Sequence, residues 1–127
     1  LRYVNFISRK ALALEGTPYR DLIAPRYLGI MADEQVVEPN VGRSGVDAEI
    51  AIRGGCRVKL HAGPGQVHRG GRTDGEVKFI FDQDLYMPGS ITPNLSAPAL
   101  QTLHAQAWSI FRDAITDELH DAMEPMN

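Results

Sequence analysis

The segment 46–63, VDAEIAIRGGCRVKLHAG, limits what this chain can fold into more than any other stretch. Both arms alternate apolar and polar residues around a glycine pair, the pattern of two half-buried strands joined by a turn. A two-residue turn at Gly54-Gly55 would set Ile52 against Arg57 and mix the faces. A three-residue loop, Arg53-Gly54-Gly55, repairs every pair: Ile52 meets Cys56, Ile50 meets Val58 and Ala48 meets Leu60. Such a loop needs positive φ just before the return strand, and Gly55 adopts it without steric cost. On the other face this register sets Glu49 across from Lys59 and Asp47 across from His61. Opposite charges so placed contribute roughly 0.2–1 kcal/mol per pair, the second only when the histidine is protonated. The hairpin is expected to turn its apolar set to a core and Arg57, Lys59 and His61 to water.

The remaining elements are read around this hairpin. Residues 1–7, LRYVNFI, have strand composition. In TPYRDLIA, Thr17 is placed to cap a helix and Pro18 suits its first turn, while Pro25 and Gly29 limit that helix or split it. EQVVEP reads as a short edge strand. The segment 63–75, GPGQVHRGGRTDG, carries five glycines and a proline and reads as a long Gly-rich loop. EVKFIFDQDLYM then predicts a longer strand with Val77, Phe79 and Phe81 on one side, ended by Met87-Pro88-Gly89. In the last element Leu100, Leu103, Ala107, Phe111, Ile115, Leu119 and Ala122 recur at threes and fours. With Ser96 as cap and Pro125 as stop, about 27 residues at ~1.5 Å each predict one rod of roughly 40 Å. The sum is a single α+β domain over 1–127. An antiparallel sheet of about four strands is covered on one face by a long C-terminal helix and a shorter helix.

Length and composition narrow the classes. A chain of 127 residues is about one domain. The longest apolar runs fall far short of the roughly 18 residues of a membrane span, so no membrane partner is expected. A single cysteine, Cys56, cannot form an internal disulfide and favours a reducing, cytoplasmic setting. The net charge of -3 gives no general attraction to nucleic acid. The sequence begins inside its first strand, at Leu1. That points to the C-terminal part of a longer protein, a missing leader being the plainer reading.

LRYVNFI resembles the Leu-Arg-Tyr-x-Asn-Arg-Ile strand of a sporadically distributed family of uncharacterised bacterial proteins of about twice this length. LHAQAWSIFRDAITDELHDAM resembles that family's C-terminal helix, a Leu-His followed by Phe and then Ile-Thr-x-x-Leu. Phe6 stands where the family pattern often has Arg, which weakens any role assigned to that position. The resemblance implies the C-terminal half of a protein of about 250 residues, and it implies no activity.

The chemistry-bearing residues are few. From Ile50 to Thr73 the chain has no acid but carries Arg53, Arg57, Lys59, His61, His68, Arg69 and Arg72. Arginine clamps phosphate, and glycines admit backbone N–H groups to an anion, so this set is the candidate anion or nucleic-acid site. No Gly-x-x-x-x-Gly-Lys-Ser/Thr run is present, and no aromatic for base stacking lies among these cations. The histidines are scattered, without Cys-x-x-Cys or His-x-x-x-His spacing, so no metal site and no cofactor is expected. His104 is expected at the edge of the helix stripe bonded to backbone, and His120 exposed. Asp82 and Asp84 share a strand face, and Asp113, Asp117 and Asp121 follow at fours. These read as solvated charge, since no nucleophile motif frames them. The acids of the last helix and the basic hairpin are a candidate pairing, within the molecule or across a dimer. The leading reading is a non-enzymatic domain acting through a protein partner or self-association. A nucleic-acid or phosphate binder is the rival, and an enzyme completed by further residues a weaker third.

Overall fold

The computed structural model describes residues 1–52, 55–69, 72–87 and 97–123; within these, the side chains of 67–69 and 72–74 are not described. Four strands, β1 (Arg2–Ile7), β2 (Val46–Ala51), β3 (Arg57–Arg69) and β4 (Arg72–Tyr86), form one antiparallel sheet in the order β1-β4-β3-β2. Two helices follow, α1 (Ala97–Ala114) and α2 (Asp117–Met123). The class is α+β, with a long and a short helix against the sheet.

The hairpin register is as read from the alternation: Ala48 faces Leu60, Ile50 faces Val58, and the Ile52 N–H donates to the Cys56 carbonyl at 2.9 Å. Gly55 has φ +76°. Across the sheet, residues in register share a face. Asn5, Phe81, Ala62 and Val46 form one inner row, and Tyr3, Gln83, Leu60 and Ala48 the next. Phe79, Phe81, Leu85, Val58, Leu60 and Ala62 are buried beneath Leu103, Ala107 and Phe111 of α1. Phe81 is central, its ring edge-on to Tyr27 and Phe111 at centroid distances of 5.1 and 5.8 Å.

Four expectations are corrected. The Gly-rich loop at 63–75 is mostly strand: β3 runs to Arg69 and β4 starts at Arg72, with Gly63, Pro64 and Gly65 paired to Ile80, Phe79 and Lys78. Proline is tolerated because β2 has ended by then, its last partner being Ala62, so Pro64 has no second neighbour needing its N–H. Gly63 is required by close approach, since a Cβ there would lie 2.5 Å from the Ser44 carbonyl oxygen. Both residues read as breakers because their reason lies elsewhere in the chain.

The helix expected from Thr17 is instead a series of 3-10 turns, Tyr19–Asp21, Pro25–Tyr27 and Gly29–Ala32. Prolines at 18 and 25 and positive φ at Gly29 (+57°) leave pieces too short to nucleate an α-helix. The turns still carry buried Tyr19, Leu22, Ile23, Tyr27, Leu28 and Met31 onto the sheet. EQVVEP is not a strand: a turn leads into a 3-10 turn at Glu38–Asn40. Its Glu38 carboxylate accepts the Tyr19 N–H at 2.9 Å and pairs with Arg9 at 2.7 Å.

The single rod is broken at Ile115-Thr116. Ile115 forms a β-bridge with Ile23, while the Ala24 N–H donates to the Ala114 carbonyl and the Thr116 N–H to the Leu22 carbonyl. The Thr116 hydroxyl donates to the Asp21 carbonyl at 2.8 Å and accepts the Leu119 N–H at 3.3 Å, capping α2. A tertiary partner thus takes backbone groups that a continuous helix would have used. The expected cap at Ser96, the stop at Pro125 and the Pro88-Gly89 strand end fall outside the described residues. Among those described, no helix is long and apolar enough to cross a membrane.

Candidate functional site

The helix-free face of the sheet carries the middle of the predicted basic set. Arg57, Lys59 and His61 alternate along β3 and point outward, as the register requires. They do not stand alone. Lys59 lies between Asp84 and Glu49, and His61 between Asp82 and Asp47, on the neighbouring strands. Arg2 adds a cation at the β1 end of the first row, forked onto Asp82 with Nε–Oδ1 at 3.0 Å and Nη2–Oδ2 at 2.7 Å. His61 Nδ1 sits 2.7 Å from Asp47 Oδ1. Glu49 differs in detail from the expectation: although it faces Lys59, it accepts the Tyr86 hydroxyl and lies 3.8 Å from Arg57. Lys59 Nζ rests 5.6 Å from the Tyr86 ring centroid. The resulting open depression, about 560 Å³, mixes both signs, with Asp47, Glu49, Asp82 and Asp84 among the cations.

The rest of the set is dispersed. Arg53 lies outside the described residues. His68, Arg69 and Arg72 sit at the opposite end of the β3–β4 ribbon, with Arg69 in register with Arg72. Twelve strand steps separate Arg57 from Arg69, roughly 40 Å at ~3.3 Å per residue. The cations adjacent in sequence are thus strung along one strand rather than gathered.

Hydrogen bonding to Glu49 raises the Tyr86 phenol above its ordinary value of 10, and burial is the largest cause of the rise at Tyr19. A phenol raised on folding contributes stability below the unfolded pKa and loses it as pH climbs through the folded one. An ultraviolet titration of tyrosinate is therefore expected to show these two phenols ionising late. Glu49→Gln should bring one of them back towards 10; an unchanged titration would contradict the Tyr86–Glu49 bond.

The helix residues also depart from expectation. His104 Nδ1 bonds the Tyr3 hydroxyl, not backbone, and the His120 side chain is only 25% exposed. Asp113 and Asp117 are separated by the helix break, and Asp117 is held below the usual carboxylate range by the Arg112 guanidinium at 2.6 Å. The helix layer and the outward cations lie on opposite sides of the sheet, so the pairing of acidic helix end and basic hairpin is not made within the molecule among the described residues. Among those residues, no three or more His, Cys, Asp and Glu side chains gather as a metal site would need. Cys56 is fully buried, as its register predicts.

A second region was not singled out by sequence: the β1 margin. Leu1 and Leu85 exchange both main-chain hydrogen bonds, at 2.8 and 2.7 Å. Antiparallel alternation then makes Tyr3, Asn5 and Ile7 the bonded partners of β4 and turns the N–H and C=O groups of Arg2, Val4 and Phe6 outward. Among the described residues no hydrogen bond reaches those outward groups. Phe6 is 46% exposed beside them. On the inner face of the same margin, Tyr3, Asn5, His104, Trp108, Phe111 and Met123 enclose a recess of about 270 Å³. Trp108 stands 56% exposed over it. Gln83 is buried at the recess, donating to the Ala107 carbonyl at 3.1 Å while its Oε1 has no partner. A signal existed in the sequence: the lone tryptophan sits one position off the apolar stripe, where a large side chain is bound to protrude.

No protein-family model, curated protein or solved structure matches this chain.

Proposed function

We propose that this chain is a non-enzymatic protein-association domain of a bacterial, cytoplasmic protein, and that its partner adds a strand along β1. The supporting observation is the coincidence at one margin of outward main-chain groups at Arg2, Val4 and Phe6 with the exposed rings of Phe6 and Trp108. Strand addition draws affinity from the main chain and specificity from flanking side chains, and this margin has both. The opposite edge is better guarded, since Asp47 and Glu49 stand on β2. The rival reading, an anion or nucleic-acid site on Arg57, Lys59 and His61, is weakened by the carboxylates interleaved with them. The lone buried Cys56 suits the reducing compartment.

A photoreactive phenylalanine analogue at position 6 tests the reading in the natural full-length protein within its cells. Ile30, 60% exposed and remote from β1, is the control site. Protein adducts of discrete mass are expected from position 6 and not from position 30, and they should vanish when Val4 is replaced by proline. Equal labelling from both sites, or none from position 6, defeats the proposal. Retention on a polyanion column that salt reverses would favour the rival instead.

A further inference from the structure

Beyond association at β1, we infer that the recess between β1, β4 and the two helices binds a small, neutral, planar heteroaromatic molecule whose ring N–H donates to Gln83 Oε1. Gln83 is the anomaly that points there. The inner positions of β4 run Phe79, Phe81, Gln83 and Leu85, all buried, and the other three are apolar as a core requires. Among the described residues Gln83 is the one buried side chain that is neither apolar nor aromatic. Its Oε1 is the one buried side-chain polar atom there without a partner. The amide is held in one orientation: its nitrogen donates to the Ala107 carbonyl at 3.1 Å, and turning it over would set two oxygens against each other. The oxygen is therefore committed as an acceptor, and a buried acceptor left empty works against folding. Methionine would fill the same place without that penalty.

The lining sets the kind of donor. Among the described residues around the recess none is Asp, Glu, Lys or Arg. An ion would lose hydration there without meeting a countercharge, so the ligand is neutral. Tyr3, Trp108 and Phe111 supply ring surface, and the exposed part of Trp108 is left for stacking. These walls are preformed. The Tyr3 hydroxyl bonds His104 Nδ1, the two rings edge-on at 5.2 Å, and Trp108 lies 6.5 Å from Phe111 between centroids. At about 270 Å³ the recess is just below the roughly 300–1,000 Å³ of drug-sized sites, which limits the ligand to one or two rings.

Indole and benzimidazole are the probes, both planar with one ring N–H; benzofuran has the same shape with an oxygen in that place. Trp108 is the chain's one tryptophan, and its side-chain N–H resonance, assigned by its loss in Trp108→Phe, follows each titration. Saturable shifts are expected with both N–H probes at up to millimolar concentration. Benzofuran should bind at least about tenfold more weakly, its oxygen being turned against Gln83 Oε1. Gln83→Met keeps the length of the side chain and removes the acceptor. It should fold with undiminished stability and bind indole and benzofuran equally to within about twofold. No saturable shift with either N–H probe, equal binding of all three by the unaltered chain, or a preference for indole that survives in Gln83→Met overturns the inference. If that variant does not fold, the comparison of indole with benzofuran on the unaltered chain decides it.

Discussion

Phe81→Ala is expected to lower the unfolding free energy by about 3–5 kcal/mol, a large share of the roughly 5–15 kcal/mol that holds a domain together. Phe81 is 1% exposed at the middle of β4, with Asn5 of β1 and Ala62 of β3 in register on either side. Its ring meets Tyr27 from the 3-10 segment and Phe111 from α1. Truncation removes contacts to three separate parts of the chain at once. The sheet backbone cannot close around the void without breaking its ladders. Phe81→Leu, which keeps much of the volume, should cost less than about 1.5 kcal/mol. Urea unfolding of the two variants measures the difference. A loss below about 1 kcal/mol for the alanine variant would mean that the aromatic cluster is not the centre of the core.

Gly63→Ala is the second large effect, about 1–3 kcal/mol, and its cause is overpacking rather than a void. An alanine Cβ would lie 2.5 Å from the Ser44 carbonyl oxygen and 3.1 Å from Gly45 Cα. Both obstacles are backbone, so relief requires the 44–45 segment to move off the sheet. That segment leads into β2 at Val46, which faces Ala62, so the strain is carried into the hairpin. Gly42→Ala is the matched control: no atom lies within 4 Å of the new methyl and φ is not positive. It should be neutral or stabilising by up to about 1 kcal/mol through loss of unfolded-state freedom. Equal melting behaviour of the two variants would remove the close approach as the reason for Gly63.

The candidate sites were legible in the sequence only in part. Outward placement of Arg57, Lys59 and His61 was legible because alternation along β3 settles it. The acids around them were half legible: Asp47 and Glu49 follow from the hairpin, but Asp82 and Asp84 arrive only when β4 pairs with β3. The run without acids from 50 to 73 suggested a cationic patch. Neighbouring strands filled it with carboxylates from outside the run. The β1 margin was illegible, since LRYVNFI reads the same for an edge strand as for a central one.

What the residues determined alone is what short-range geometry controls. Period-two alternation with positive φ at Gly55 leaves one register for β2 on β3, and the three-and-four spacing from Leu103 to Phe111 leaves a helix with one buried stripe. What the tertiary structure decided is what needs a partner distant in sequence. The segment around Ile23 broke the terminal helix at Ile115, the Ala24 N–H and the Leu22 carbonyl taking the Ala114 carbonyl and the Thr116 N–H. Pairing with Phe79 and Ile80 kept Pro64 and Gly63 in a strand, and the order β1-β4-β3-β2 put β1 at an edge of the sheet among the described residues. Local propensity is worth tenths of a kcal/mol per residue, whereas a buried contact or a satisfied main-chain group is worth about one or more, so at these positions the distant partner prevails.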